Sequence, residues 1–251
     1  MYNKNNNLIM LKSTYFFLIL LGLLSSCKTV SVLNETQHKT YIKTSLGTLI
    51  DAQGSFLNND FASIAIPQYS NPIKLRITPI VFNAKSFEAF QDAKDMQNSR
   101  LAVNYIDSIA TKPNFLKIEI VDVLELIESV NRAENETLKL YLESKTNSGI
   151  ITGVSMVVES QYQQDLLEAD EVFLQQSGVK SYALKAYKNK ELKQSIMFHQ
   201  GVVFAYKTSN FCWQQNAKYE LDIIDITPNK CSKNSFKNSK RAKKEIDYLK
   251  F

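Results

Sequence analysis

Between Val179 and Phe198 and on to Lys207, short apolar-alternating runs follow one another with only a turn between them. This spacing constrains the fold more than any other feature. Val179–Tyr187, Leu192–Phe198 and Val202–Lys207 read as strands, and Asn189-Lys190 and Gln200-Gly201 carry turn chemistry. A two-residue link cannot cross a sheet, so the strands it joins run antiparallel. Tyr219 to Ile226 adds a further strand, closed by Thr227-Pro228. The expected fold class is α+β, a single domain over 41–251 with a largely antiparallel sheet in its C-terminal half. Two or three packed helices are expected on one face.

Upstream, Ile73 to Ile77 alternates cleanly, and Pro79 marks it as an edge strand. Leu116, Ile118 and Ile120 form a second half-buried strand. A helix is expected from Ser86 to Ala110, with Phe87, Phe90, Ala102, Ile106 and Ile109 inward and Lys112-Pro113 as its stop. A shorter one spans Val123 to Ala133, with Leu124, Ile127 and Val130 inward. Leu138, Leu140 and Leu142 have period two before the turn residues Thr146-Asn147-Ser148-Gly149. This favours a hairpin into the β-rich run Ile150–Glu159 over one long helix. Gln161 to Gln176 reads as a helix carrying Tyr162, Leu166, Ala169 and Phe173 on one side, with Gly178 after it. In the tail, Phe236, Ala242, Ile246 and Leu249 share a stripe opposite Lys237, Lys240, Arg241, Lys243 and Lys244. The tail is expected to form a basic amphipathic helix over about residues 234–249 that docks on the domain.

The N-terminus carries a different signal. Lys4 and Lys12 precede the uncharged run Tyr15–Leu24, and the small residues Ser25 and Ser26 lead to Cys27. These are the parts of a secretory signal. The run is too short to cross a membrane, which takes about 20 apolar residues. Leu24-Ser25-Ser26-Cys27 resembles the lipobox of bacterial lipoproteins. The resemblance implies a signal peptide over 1–26, lipidation of Cys27 and a membrane partner engaged through that anchor. Residues 27–40, polar with scattered Val and Leu, read as the tether. In this class Lys28, rather than Asp, after the Cys implies the outer membrane. The uncharged stretch Thr29–Leu33 lacks the acidic run of Bacteroidota surface lipoproteins, which implies the periplasmic face.

The formal charge of +5 is uneven: the segment from Lys230 onward carries +6, and the body between Cys27 and Asn229 carries −3. The basic character belongs to the tail, so no nucleic-acid partner is expected. With Cys27 lipidated, Cys212 and Cys231 remain as a pair in an oxidising compartment, where one disulfide is expected.

Chemistry-bearing motifs are sparse. With 2 His and 3 Cys, a His/Cys zinc site is out of reach, and no metal or cofactor is expected. His38 lies in the expected tether and His199 beside a turn, neither with a nucleophile. Phosphate loops, dinucleotide fingerprints and G-x-S-x-G are lacking. Asp165, Glu168, Asp170 and Glu171 read as the solvated face of one helix. Tyr206, Phe211 and Trp213 belong to an aromatic-dense stretch. That stretch reads as core beside the disulfide, with a ligand-contact cluster for sugar or peptide as its alternative. Asp107-Ser108-Ile109 resembles a short O-glycosylation acceptor of Bacteroidota envelope proteins. The expected function is a lipid-anchored envelope protein, a non-enzymatic binding or assembly component with an envelope protein or glycan as partner. The alternative is a peptidoglycan or glycan hydrolase acting through carboxylates.

Overall fold

The computed structural model describes residues 28–51, 62–178 and 181–247. The expected signal peptide, Cys27, Val179 and Leu249 lie outside them. Among the described residues no helix is long and apolar enough to cross a membrane.

The elements in order are β1 Thr29–Val32, β2 Glu35–Lys39, β3 Leu49–Asp51, β4 Ala62–Ala65, β5 Ile73–Val81, α1 Ala84–Met96, β6 Asn114–Ile120, α2 Val123–Asn131 and α3 Glu136–Ser144. They continue with β7 Ser148–Val157, α4 Ser160–Glu168, β8 Glu171–Gly178, β9 Ser181–Lys188, β10 Glu191–Met197, β11 Val202–Gln215, β12 Leu221–Thr227 and α5 Ser239–Asp247. Twelve strands join in one sheet, ordered β1-β2-β11-β7-β6-β5-β8-β9-β10. Every pairing among the described residues is antiparallel. The antiparallel sheet expected of the C-terminal half therefore extends through the whole domain.

Two side branches shape the molecule. β7 pairs with β6 along Gly153–Met156, and its first residues, Ser148–Ile150, pair instead with β3, which carries β4. β11 is the longest strand. Its start pairs with β2, and its far end, Asn210–Gln215, pairs with β12.

Side chains alternate across the sheet and feed two cores. On β6, Leu116, Ile118 and Ile120 enter the larger core with Leu126 and Val130 of α2, Leu142 of α3, Leu166 of α4 and Ala242 of α5. Phe115 points the other way, into a cluster with Phe82, Phe90, Phe204, Val30 and Val32. Ring centroids lie 4.9 Å apart for Phe82–Phe115 and 5.0 Å for Phe115–Phe204. Such aromatic pairs contribute about 0.5–1.5 kcal/mol beyond their area. α1 covers this cluster, so helices pack on both faces of the sheet and not on one. Asn83 caps α1: its side chain accepts from the Ser86 N–H, while Ser86 Oγ accepts from the Asn83 N–H.

Five local expectations are corrected. The 27–40 stretch is not a tether from Thr29 onward: β1 and β2 form a hairpin, turned by Leu33 and Asn34 at φ 48° and 63°, that buries Val30 and Val32. The helix from Ser86 ends at Met96, where Asn98 takes φ 52°, and Ala102 to Ile109 form an irregular crossing that leaves Ile106 and Ile109 exposed. Leu138 to Leu142 are helical. Leu138 and Leu142, four apart, face the core, and Leu140 is 58% exposed. α4 stops at Glu168 because Ala169 is extended, and Phe173 belongs to β8. Leu124 points outward on α2, where Leu126 and Val130 fill the core.

Pro79 is an edge only in part. β5 has β8 beside it along Ile73–Leu75, but at Pro79 its one neighbour is β6.

Candidate ligand cleft

Among the described residues a wide concavity opens where the β3–β4 branch leaves the sheet. Its volume is about 840 Å³, within the ~300–1,000 Å³ range of small-ligand sites. β4 and its extension to Gln68 form one wall. The turn at Glu134 and the first part of α3 form the opposite wall, and Gln176 and Tyr182 close the end. Ile64, Ile66, Leu138, Tyr141 and Tyr182 make the lining mainly apolar.

The polar groups nearby are mostly committed to holding the cleft open. Asn135 is buried. Its Oδ1 accepts from the Gln68 N–H at 2.8 Å, and its Nδ2 donates to the Gln68 and Ser129 carbonyls at 2.9 and 2.8 Å. This side chain does for Gln68 what a neighbouring strand would do. Tyr182 Oη accepts from the Tyr69 N–H at 2.8 Å, and Tyr69 Oη donates to the Gly47 carbonyl at 2.7 Å. Burial pushes the Tyr69 phenol well above its ordinary range, with Tyr182 adding to the shift, so it remains a donor. Gly47 sits at φ 74°, and a Cβ there would fall 2.6 Å from Tyr69 Oη, so only glycine fits under this floor. Asp51 pairs with Lys145 at 3.2 Å. Among the described lining residues Asp51 and Glu134 are acidic, and none is Lys, Arg or His.

A second polar feature crosses the sheet on the face of the phenylalanine cluster. Lys207, Gly153, Glu119 and Arg76 stand opposite one another on β11, β7, β6 and β5. Lys117 Nζ lies 2.8 Å from Glu35 and 3.0 Å from Glu119, Lys207 lies 3.1 Å from Glu35, and Arg76 lies 3.1 Å from Glu119. Burial acting alone would raise Glu35, but the ammonium groups of Lys117 and Lys207 outweigh it and hold the carboxyl below its ordinary value. Burial would likewise lower Lys117, yet Glu35 and Glu119 keep it raised. A glycosidase acid needs a carboxyl held up, not down. This row acts as a charge-compensated strut.

The residues singled out in the sequence fall elsewhere. Cys212 and Cys231 are bonded, with Cα atoms 5.5 Å apart. Phe211 and Trp213 are buried in the core beside the disulfide, and Tyr206, also buried, lies further along β11 against His38, bordering a small hollow with Lys39 and Tyr41. Asp165 and Glu168 lie on α4, Asp170 follows it and Glu171 opens β8, so the four do not share one helix face. Asp165 accepts from Gln161, Glu168 from Gln164 and Lys188, Asp170 from the Asn189 N–H, and Glu171 from Lys74. Among the described residues no group of three His, Cys, Asp or Glu is placed to hold a metal ion. His38 stacks on Tyr206 at 5.5 Å, and burial lowers its pKa. Asp107-Ser108-Ile109 sits in an exposed turn, not a helix.

Sequence reasoning missed the cleft because its walls come from Ile64 and Ile66 in an ambiguous stretch and from a helix read as a strand. The one usable signal is Ile64-x-Ile66-Pro67, alternation cut short by proline. Comparison with known proteins returns no match: no family model, curated protein or solved structure aligns with the chain.

Proposed function

We propose that the protein is a lipid-anchored component of the cell envelope that binds an apolar ligand or partner segment in the β4–α3 cleft, without catalysis. The observation that carries the binding reading is the cleft itself: a wide apolar lining whose nearby Asn and Tyr side chains are largely engaged in structural hydrogen bonds. The anchor rests on Leu24-Ser25-Ser26-Cys27 behind its short apolar run. Outer-membrane attachment on the periplasmic side follows from Lys28 and the uncharged residues after it. β1 begins at Thr29, so a lipid on Cys27 holds the domain within about two residues, some 7 Å of chain, of the bilayer.

Two measurements test this reading. A clickable fatty acid should label the wild type and not the Cys27→Ala protein; equal labelling of both would remove the anchor. Nile red, a neutral dye, should bind the purified chain saturably at one site. Thr137→Trp, at an exposed cleft position, should weaken that binding at least about tenfold by filling the space. Non-saturating fluorescence, or binding indifferent to Thr137→Trp, would remove the cleft as the site.

A further inference from the structure

The geometry points to an extended peptide, neutral or basic, as the occupant of the cleft, added as a strand to the outer edge of β4. This deepens the cleft reading above and rests on it.

Three observations select a peptide over a compact apolar molecule. The first concerns parity. Successive side chains of a strand point to opposite faces. Yet Ser63, Ile64 and Ala65, successive residues of β4, all line the cleft, as do Ile66 to Gln68 just past its end. A cleft lying against one face would meet alternate residues only. Contact with every residue means that it runs along the edge, where the main chain is presented.

The second concerns pairing. Among the described residues β4 pairs with β3 alone. Alternate N–H and C=O groups of an edge strand point away from the sheet and can template another strand. Just past β4, Asn135 meets both main-chain groups of Gln68 with its amide, the same donor–acceptor pair a strand neighbour supplies. The edge is thus closed at Gln68 by a side chain, and the length from Ser63 to Ile66 remains facing the cleft. At about 3.3 Å per residue, this length accommodates about four residues of a guest strand. Leu138, Tyr141 and Tyr182 stand where alternate guest side chains would seat, which is how strand addition gains specificity.

The third is charge. Among the described lining residues Asp51 and Glu134 are acidic and none is a cation; Asp51 is already paired with Lys145, so Glu134, exposed at the α3 wall, sets the local sign. An acidic peptide would meet like charge here, and a basic or uncharged one would not.

The test selects binders to the purified full chain from a display library of random 10-residue peptides. Enriched peptides should be uncharged or basic with alternating apolar residues. A synthetic copy of the best one should slow hydrogen exchange of amides within 62–66. N-methylating its backbone at alternate residues should cost at least about tenfold in affinity in one frame and little in the other, because only one frame donates to β4. Glu134→Lys should weaken a basic binder several-fold while leaving the melting temperature unchanged. Failure to enrich, binding that leaves exchange in 62–66 unchanged, or near-equal affinity in both N-methylated frames would overturn strand addition. So would amides in 62–66 already fully protected in the free chain, since the protein's own residues would then fill the edge. Saturable Nile red binding with a failed selection would retain the cleft as a small-molecule site; loss of both would remove the cleft reading itself.

Discussion

The two side branches of the sheet end in opposite ways. At the far end of β11, β7 has already stopped at Ser148, and the vacated flank is taken by Phe236, whose main chain exchanges hydrogen bonds with Trp213 at 2.8 and 2.9 Å. β12 covers the other flank, Cys231 is bonded to Cys212, and α5 docks through Ala242 and the 2.6 Å bond from Ser239 Oγ to the Glu143 carbonyl. At the end of β7, by contrast, β3 brings in β4, and β4 faces a cleft. One branch is covered by a paired strand, a β-bridge, a disulfide and a docked helix, and among the described residues the outer edge of the other faces an apolar lining. This contrast, drawn among the described residues, is what supports the proposed binding at the β4 end.

The difference can be broken from either side. At the closed branch, Trp213→Ala should cost about 3–5 kcal/mol in a denaturant titration, because the buried indole leaves a large cavity. Ile64→Ala, half-buried on the open branch, should cost only about 1 kcal/mol. Equal losses would mean that the two ends are built alike. Removing the disulfide as Cys212→Ala/Cys231→Ala should cost about 3 kcal/mol, the chain-entropy worth of a link spanning 19 residues. The melting temperature of that variant should no longer respond to reductant.

Asn135→Ala attacks the closure seen on the open branch among the described residues. It leaves the buried Ser129 carbonyl without its Asn135 partner, at about 1–3 kcal/mol, and frees the N–H and C=O of exposed Gln68. It should also lengthen the edge that a guest strand can use.

The smallest effect lies between the branches, in the charged row. The Glu35 carboxyl is held low, so its contribution is present at neutral pH and is lost as pH falls through its folded value, below the ordinary region near 4. Lys117 is held high, so its contribution is complete below about pH 10 and lost above it. Because Glu35 is partly exposed, Glu35→Gln should cost no more than about 1 kcal/mol at pH 7. The gap to wild type should close as pH drops toward 3; a gap that widens in acid would reverse the sign of this account.

Much of the sheet was legible because alternation and turn chemistry are local. Asn189-Lys190, both at positive φ, turn β9 into β10, and the disulfide follows from two cysteines. The branches were not legible, because they depend on which strand meets which. Val30 and Val32 alternate, but only the phenylalanine cluster explains why they are buried. Leu138, Leu140 and Leu142 satisfy period two, yet a helix uses Leu138 and Leu142 and leaves Leu140 in water. Phe236 was expected to dock as part of a helix, and it docks through an isolated β-bridge to Trp213 just before one. The lining of the cleft draws on segments 51, 63–68, 134–141, 176 and 182, and no local pattern joins them.

Residue-resolved hydrogen exchange on the free chain compares the two ends most directly. At least one amide between Ser63 and Ile66 should exchange about a hundredfold or more faster than those of Phe211 to Trp213, since an outward amide on an open edge needs no global opening. Equal, slow exchange at both ends would show the β4 edge to be closed and would contradict the cleft as the place where a partner strand adds.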